Sequence, residues 1–164
     1  MSIQLDKVQP KNKMQLKQLV DYAFKHNIYD LNFIDTSKIT DMYGLFSNVN
    51  YNFDVSSWDV SNVTDMYNMF YYCDKFNCDI SNWNVSHVVD MSQMFYCCKN
   101  FDCDLSKWDV SNVIDMKSMF DCCINFEGKG LENWDVSKVK DMNYMFNNCD
   151  KASIPSWYKL YHRK

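Results

Sequence analysis

The sequence predicts an α/β solenoid of the leucine-rich-repeat-like class, with five stacked coils. Three observations point there: a block of about 25 residues that recurs, an apolar pattern within it that splits in two, and a non-repeating amphipathic segment before it. The clearest copies read W-D-V-S-N-V-T-D-M-Y-N-M-F, W-N-V-S-H-V-V-D-M-S-Q-M-F, W-D-V-S-N-V-I-D-M-K-S-M-F and W-D-V-S-K-V-K-D-M-N-Y-M-F. Trp58, Trp83, Trp108 and Trp134 are spaced 25, 25 and 26 residues apart, and a degenerate first copy begins at Ile34. Self-similarity at such a period is the signature of stacked units, none of which can bury its apolar face alone.

Each element has its own warrant. Met66, Met69, Phe70 and Cys73 fall at i, i+3, i+4 and i+7, the spacing of one face of a helical turn, and the same face recurs from Met91, Met116 and Met142. Ile80, Trp83 and Val85 lie in a β-branched and aromatic segment bounded by Ser and Asn, which predicts a short extended stretch. One copy carries about eight large apolar side chains worth roughly 2 kcal/mol each on burial, against roughly 1 to 2 kcal/mol of backbone ordering for every residue. A single copy therefore cannot fold by itself. Upstream, Leu16, Leu19, Val20 and Ala23 predict an amphipathic helix of about four turns, stopped by Lys25-His26-Asn27. The expected organisation is one domain: an N-terminal helical cap over 1–30, a repeat region over 31–154, and a short C-terminal cap and tail over 155–164.

Polar positions recur as strictly as apolar ones. Asp41, Asp65, Asp90, Asp115 and Asp141 precede the Met that opens each turn, and Ser37, Ser61, Ser86, Ser111 and Ser137 follow each extended segment. Capping of free backbone N–H groups is the expected role. A calcium ladder of carboxylates about 5 Å apart is the alternative, although the Gly-rich loop such ladders use is missing.

The motif W-D-V-S-x-V-x-D-M-x-x-M-F, followed by C-x-x-F at Cys73 to Phe76 and Cys98 to Phe101, resembles the 25- to 26-residue repeat of BspA-like leucine-rich-repeat surface proteins. Such proteins occur as bacterial surface lipoproteins and in large DNA viruses of protists. The likeness covers roughly residues 10 to 164 and includes both ends. It implies a leucine-rich-repeat-like fold used for binding or display, without catalysis, and a viral protein among the implied sources.

All eight cysteines lie at recurring positions: Cys73, Cys98, Cys123 and Cys149; Cys97 and Cys122; Cys78 and Cys103. Side chains in one column stand about 4.8 Å apart and parallel, whereas a disulfide prefers Cβ atoms about 3.8 Å apart and angled together. Zinc would need four converging ligands, and no C-x-x-C occurs. Free, mostly buried thiols are expected, with disulfides and metal as alternatives, and free thiols suit a reducing compartment.

Composition narrows the function further. A formal charge of -4 without a Lys/Arg cluster argues against nucleic acid and anionic membrane. A mean hydropathy of -0.44 argues against membrane insertion. The opening M-S-I-Q-L-D-K-V-Q-P-K-N-K contains no signal-peptide core, so an intracellular location is expected. His26, His87 and His162 are singletons without a paired nucleophile, and three glycines place no phosphate loop. The expectation is a non-enzymatic protein–protein interaction module, monomeric, without cofactor, catalytic residues or metal, its protein partner unknown. Tyr43, Tyr67, Tyr71, Tyr72 and Tyr96 form the candidate binding patch, since non-repeating tyrosines offer large contact area at small entropic cost. A structural or display scaffold without a discrete ligand is the alternative, and a metal or redox protein a third class.

Overall fold

The computed structural model describes residues 7–161. Regular secondary structure there is sparse. Helix α1 spans Lys13–Lys25, a 3-10 turn spans Leu131–Asn133, and helix α2 spans Ser156–Tyr161. No β-strand or sheet forms among the described residues, only isolated parallel bridges, including the series Asp41 to Asp65, Asp90, Asp115 and Asp141. The expected α/β solenoid of five stacked coils, each with a strand and a helical turn, is therefore incorrect. Leucine-rich-repeat, repeat-protein and solenoid descriptions of the architecture fall with it.

The reason lies in the backbone hydrogen bonds. The spacing Met66, Met69, Phe70, Cys73 does bury one face, all four side chains being inaccessible. An α-helix would commit each amide to the carbonyl four residues earlier. Here alternate amides leave the segment instead: Met66, Asn68, Phe70 and Tyr72 donate to the carbonyls of Asp90, Ser92, Met94 and Tyr96 at 2.8–3.2 Å. The amides of Met69, Tyr71 and Cys73 close tight turns onto the carbonyls of Met66, Asn68 and Phe70 at 3.0–3.1 Å. The turns closed at Met69 and at Cys73 each hold a left-handed residue at their third position. Gly44, Asn68, Gln93, Ser118 and Tyr144 supply it in the first turn of each segment, and Asn48, Tyr72, Cys97, Cys122 and Asn148 in the second.

The expected extended stretch is also built of turns, with Trp83 N–H donating to Ile80 at 3.1 Å and Val88 N–H to Val85 at 2.9 Å. Its Ser residues are not the capping acceptors. The amides of Ser61, Ser86, Ser111 and Ser137 donate to the side-chain oxygens of Asp59, Asn84, Asp109 and Asp135. The recurring Asp before Met does accept, Asp65 from Tyr67 at 2.9 Å and Asp115 from Lys117 at 2.8 Å. These short side chains satisfy amides that the inter-segment bonds leave over.

The core runs as files of like side chains. Phe46, Phe70, Phe95, Phe120 and Phe146 lie face to face, with centroids 5.5–5.7 Å apart. Beside them the indoles of Trp58, Trp83, Trp108 and Trp134 each donate to a carbonyl of the preceding segment at 3.0–3.2 Å. At one end α1 packs through Leu16, Val20 and Ala23, all fully buried, and sets Phe24 against Phe46 and Phe53. Asn12 caps its start, accepting from Gln15 N–H, and Asn27 (φ 58) leaves it left-handed. At the other end α2 sets Trp157 parallel to Trp134 and Tyr158 edge-on to Phe146.

Candidate functional site

Between the inward positions of each Met-to-Cys segment lie positions that face outward, and the structure brings the candidate tyrosines together there. Tyr43 and Tyr67 occupy the residue after the opening Met and stack at 5.2 Å. Tyr71 and Tyr96, four residues further on, stack at 5.0 Å, and Tyr72 sits against both, at 4.7 and 5.4 Å. Tyr43 and Tyr72 are 47% and 42% exposed, while Tyr67, Tyr71 and Tyr96 are half-buried by their neighbours. The five residues thus make a stacked pair and a trio rather than five separate rings.

Two features of this surface escape sequence reasoning. The ammonium of Lys13, on α1, lies 4.3 Å from the Tyr43 ring and 2.9 Å from Asp41 Oδ1, so α1 borders the patch. No local pattern links residue 13 to residue 43. Tyr72 also holds a left-handed backbone (φ 56) at a position where two other segments place Asn48 and Asn148. Its phenol interacts with Cys97, which raises its pKa. Burial, then the neighbouring Cys97, pushes Tyr96 to about 12. Both phenols therefore stay protonated at neutral pH and can donate.

The thiols are all free. Cys73, Cys98, Cys123 and Cys149 point inward and donate to the carbonyls of Phe46, Phe70, Phe95 and Phe120 at 2.5–3.0 Å. Burial pushes Cys73 and Cys78 up to about 12 and Cys98 and Cys123 well above the usual thiol range. A hydrogen bond from Cys123 lowers Cys149 instead. These buried thiols are hydrogen-bond donors inside the core, a role not legible in their spacing.

A surface groove of about 410 Å³ is lined by Tyr29, Asp30, Phe53, Asp54, Cys78 and Asp79 among others, and it too was missed. The recurrence of Asp54, Asp79 and Asp104 was the available signal. Among the described residues no three His, Cys, Asp or Glu side chains are grouped to hold a metal ion. His26 Nδ1 lies 2.7 Å from the Tyr22 carbonyl and His87 Nδ1 2.8 Å from that of Ser61. His162 lies outside the described residues. No helix among the described residues is long and apolar enough to cross a membrane.

Comparison with known families places the chain. The family model described as "Mycoplasma protein of unknown function, DUF285" matches residues 14–129 and 78–158. The chain belongs to this family. The DUF285 match takes in all five tyrosines, Lys13 lying one residue outside it. Searches of curated proteins and of solved structures gave no match.

Proposed function

We propose that this DUF285 chain is a non-enzymatic interaction module that captures a protein partner on the surface formed by Tyr43, Tyr67, Tyr71, Tyr72 and Tyr96. The observation that carries the reading is the gathering of these exposed and half-buried rings into a stacked pair and a trio, where rigid amphipathic side chains provide contact area at low entropic cost. The conformation of Tyr72 supports it. A bulky residue in a left-handed backbone costs of order 1–2 kcal/mol, and such strain gathers at functional sites.

The likeness of the W-D-V-S-x-V-x-D-M-x-x-M-F motif to BspA-like proteins favours binding or display over catalysis. Packing of α1 and α2 against the two ends of the aromatic files favours a binder over a scaffold that grows end to end. The reading includes an intracellular location, which eight free thiols suit.

The test is affinity capture from the natural host, with the wild type and a Tyr67→Ser/Tyr71→Ser/Tyr96→Ser variant side by side. A protein retained by the wild type and lost by at least ~tenfold from the variant is expected, since each anchor tyrosine is worth about 1–2 kcal/mol. Equal capture by a variant with unchanged near-ultraviolet circular dichroism refutes the tyrosine surface.

A further inference from the structure

Every internal junction joins one segment's amides to the next segment's carbonyls, and among the described residues no further segment pairs with the same amides of the segment over 141–148. At the last junction Met116, Ser118, Phe120 and Cys122 donate to Asp141, Asn143, Met145 and Asn147 at 2.8–3.0 Å, while the Ile114 carbonyl accepts from Lys140 N–H at 2.8 Å. One segment later the corresponding groups are the amides of Met142, Tyr144, Phe146 and Asn148 and the carbonyl of Lys140. Among the described residues the amides of Met142, Tyr144 and Asn148 meet no acceptor. The Lys140 carbonyl receives a long contact from the Tyr161 hydroxyl at 3.5 Å, and the Tyr158 hydroxyl is engaged with the backbone of Phe146. Helix α2 covers the ends of the Trp and Phe files. It leaves a groove of about 500 Å³ between Ile154 and Tyr158 on one side and Asn143, Tyr144, Phe146 and Asn147 on the other.

We propose that this open edge binds an extended segment of a partner protein, aligned parallel to residues 141–148 and accepting hydrogen bonds from their alternate amides. A row of unpaired N–H groups is a template for another chain, and added backbone pairing supplies affinity while a flanking pocket selects side chains. The internal junctions show what the edge fits: a ribbon with carbonyls on alternate residues and an apolar side chain between them. A second copy of this chain is the less suitable occupant. Its complementary carbonyls would come from the segment beginning at Met42, where α1 lies, with Lys13 bound to Asp41 and Phe24 against Phe46. The edge is separate from the tyrosine surface.

The probe is a synthetic peptide copying residues 138–150 with Cys149→Ser, added to the full chain, with a scrambled-order peptide as control. Saturable binding is expected, with exchange of the Met142, Tyr144 and Asn148 amides slowed at least ~tenfold by the native-order peptide alone. Ile154→Arg should abolish binding without altering the tryptophan near-ultraviolet signal, and the tyrosine triple variant should bind as the wild type does. Absence of saturable binding at millimolar peptide overturns the proposal. Protection confined to other amides overturns it as well, as does self-association in sedimentation that already shields these three.

Discussion

The indole Nε1 of Trp83 donates to the carbonyl of Val55, 3.2 Å away and 28 positions earlier in the chain. That bond lets a large aromatic side chain be buried to 3% exposure with its one polar group satisfied, and it ties two sequence blocks together. Trp83→Phe keeps the aromatic file but removes the donor and part of the ring. A loss of about 2 kcal/mol in urea unfolding is expected, and a change below ~0.5 kcal/mol would show that the indole bond does not matter.

The left-handed residues give a second prediction, of opposite sign at two sites. Gln93 (φ 54) carries a side chain in a backbone conformation that glycine adopts freely, so Gln93→Gly should stabilise the chain by about 0.5–1 kcal/mol. Gly44 (φ 59) has open space where a Cβ would stand, so Gly44→Ala should cost about 1 kcal/mol from conformation alone. Chemical denaturation of the two variants checks both signs.

Tyr72 joins stability to function. Tyr72→Asn places the residue of the equivalent positions 48 and 148 into the same left-handed turn, and should raise stability by about 0.5–1 kcal/mol. If Tyr72 is held there for binding, the same variant should lose partner capture. A variant both more stable and fully competent would remove Tyr72 from the surface.

The sequence displayed the positions that are buried and the block that recurs, but not the backbone that joins them. Met66, Met69, Phe70 and Cys73 carry helical spacing because two consecutive tight turns also return to the same face after three, four and seven residues. Apolar periodicity reports which side chains turn inward, not which carbonyl an amide chooses. Gln93, Ser118 and Tyr144 do not announce a left-handed turn as glycine would, so the turns stayed hidden. The N-terminal helix was legible because its amides bond locally. Of the tyrosine surface, the residues were legible and their grouping was not, since contacts such as Tyr71 with Tyr96 depend on the register between segments.

Carboxylates set the pH response. Hydrogen bonds from Ser111 and Ser137 hold the pKa values of Asp109 and Asp135 below the usual range, so their contribution is present above the unfolded value of about 3.9 and disappears as pH falls through the lower folded value. Asp65 is raised by burial and then by the charges of Asp90 and Asp41. It therefore favours the folded state below pH ~3.9 and loses that contribution as pH rises through its folded value. Asp65→Asn keeps an acceptor for the Tyr67 amide and removes the charge. A small gain, below ~1 kcal/mol given its exposure to solvent, is expected at pH 7 and none near pH ~3. Thermal unfolding at the two pH values decides, and a loss at pH 7 would contradict the assignment.

The measurement that tests the account most directly is residue-resolved amide hydrogen exchange on the chain alone. If alternate amides tie one segment to the next, Met66, Asn68, Phe70 and Tyr72, with Met91, Gln93, Phe95 and Cys97, exchange slowly, while Tyr144 and Asn148 exchange at least ~tenfold faster. Equal protection at Tyr144, Asn148 and their interior counterparts would contradict both the inter-segment hydrogen bonds and the open edge.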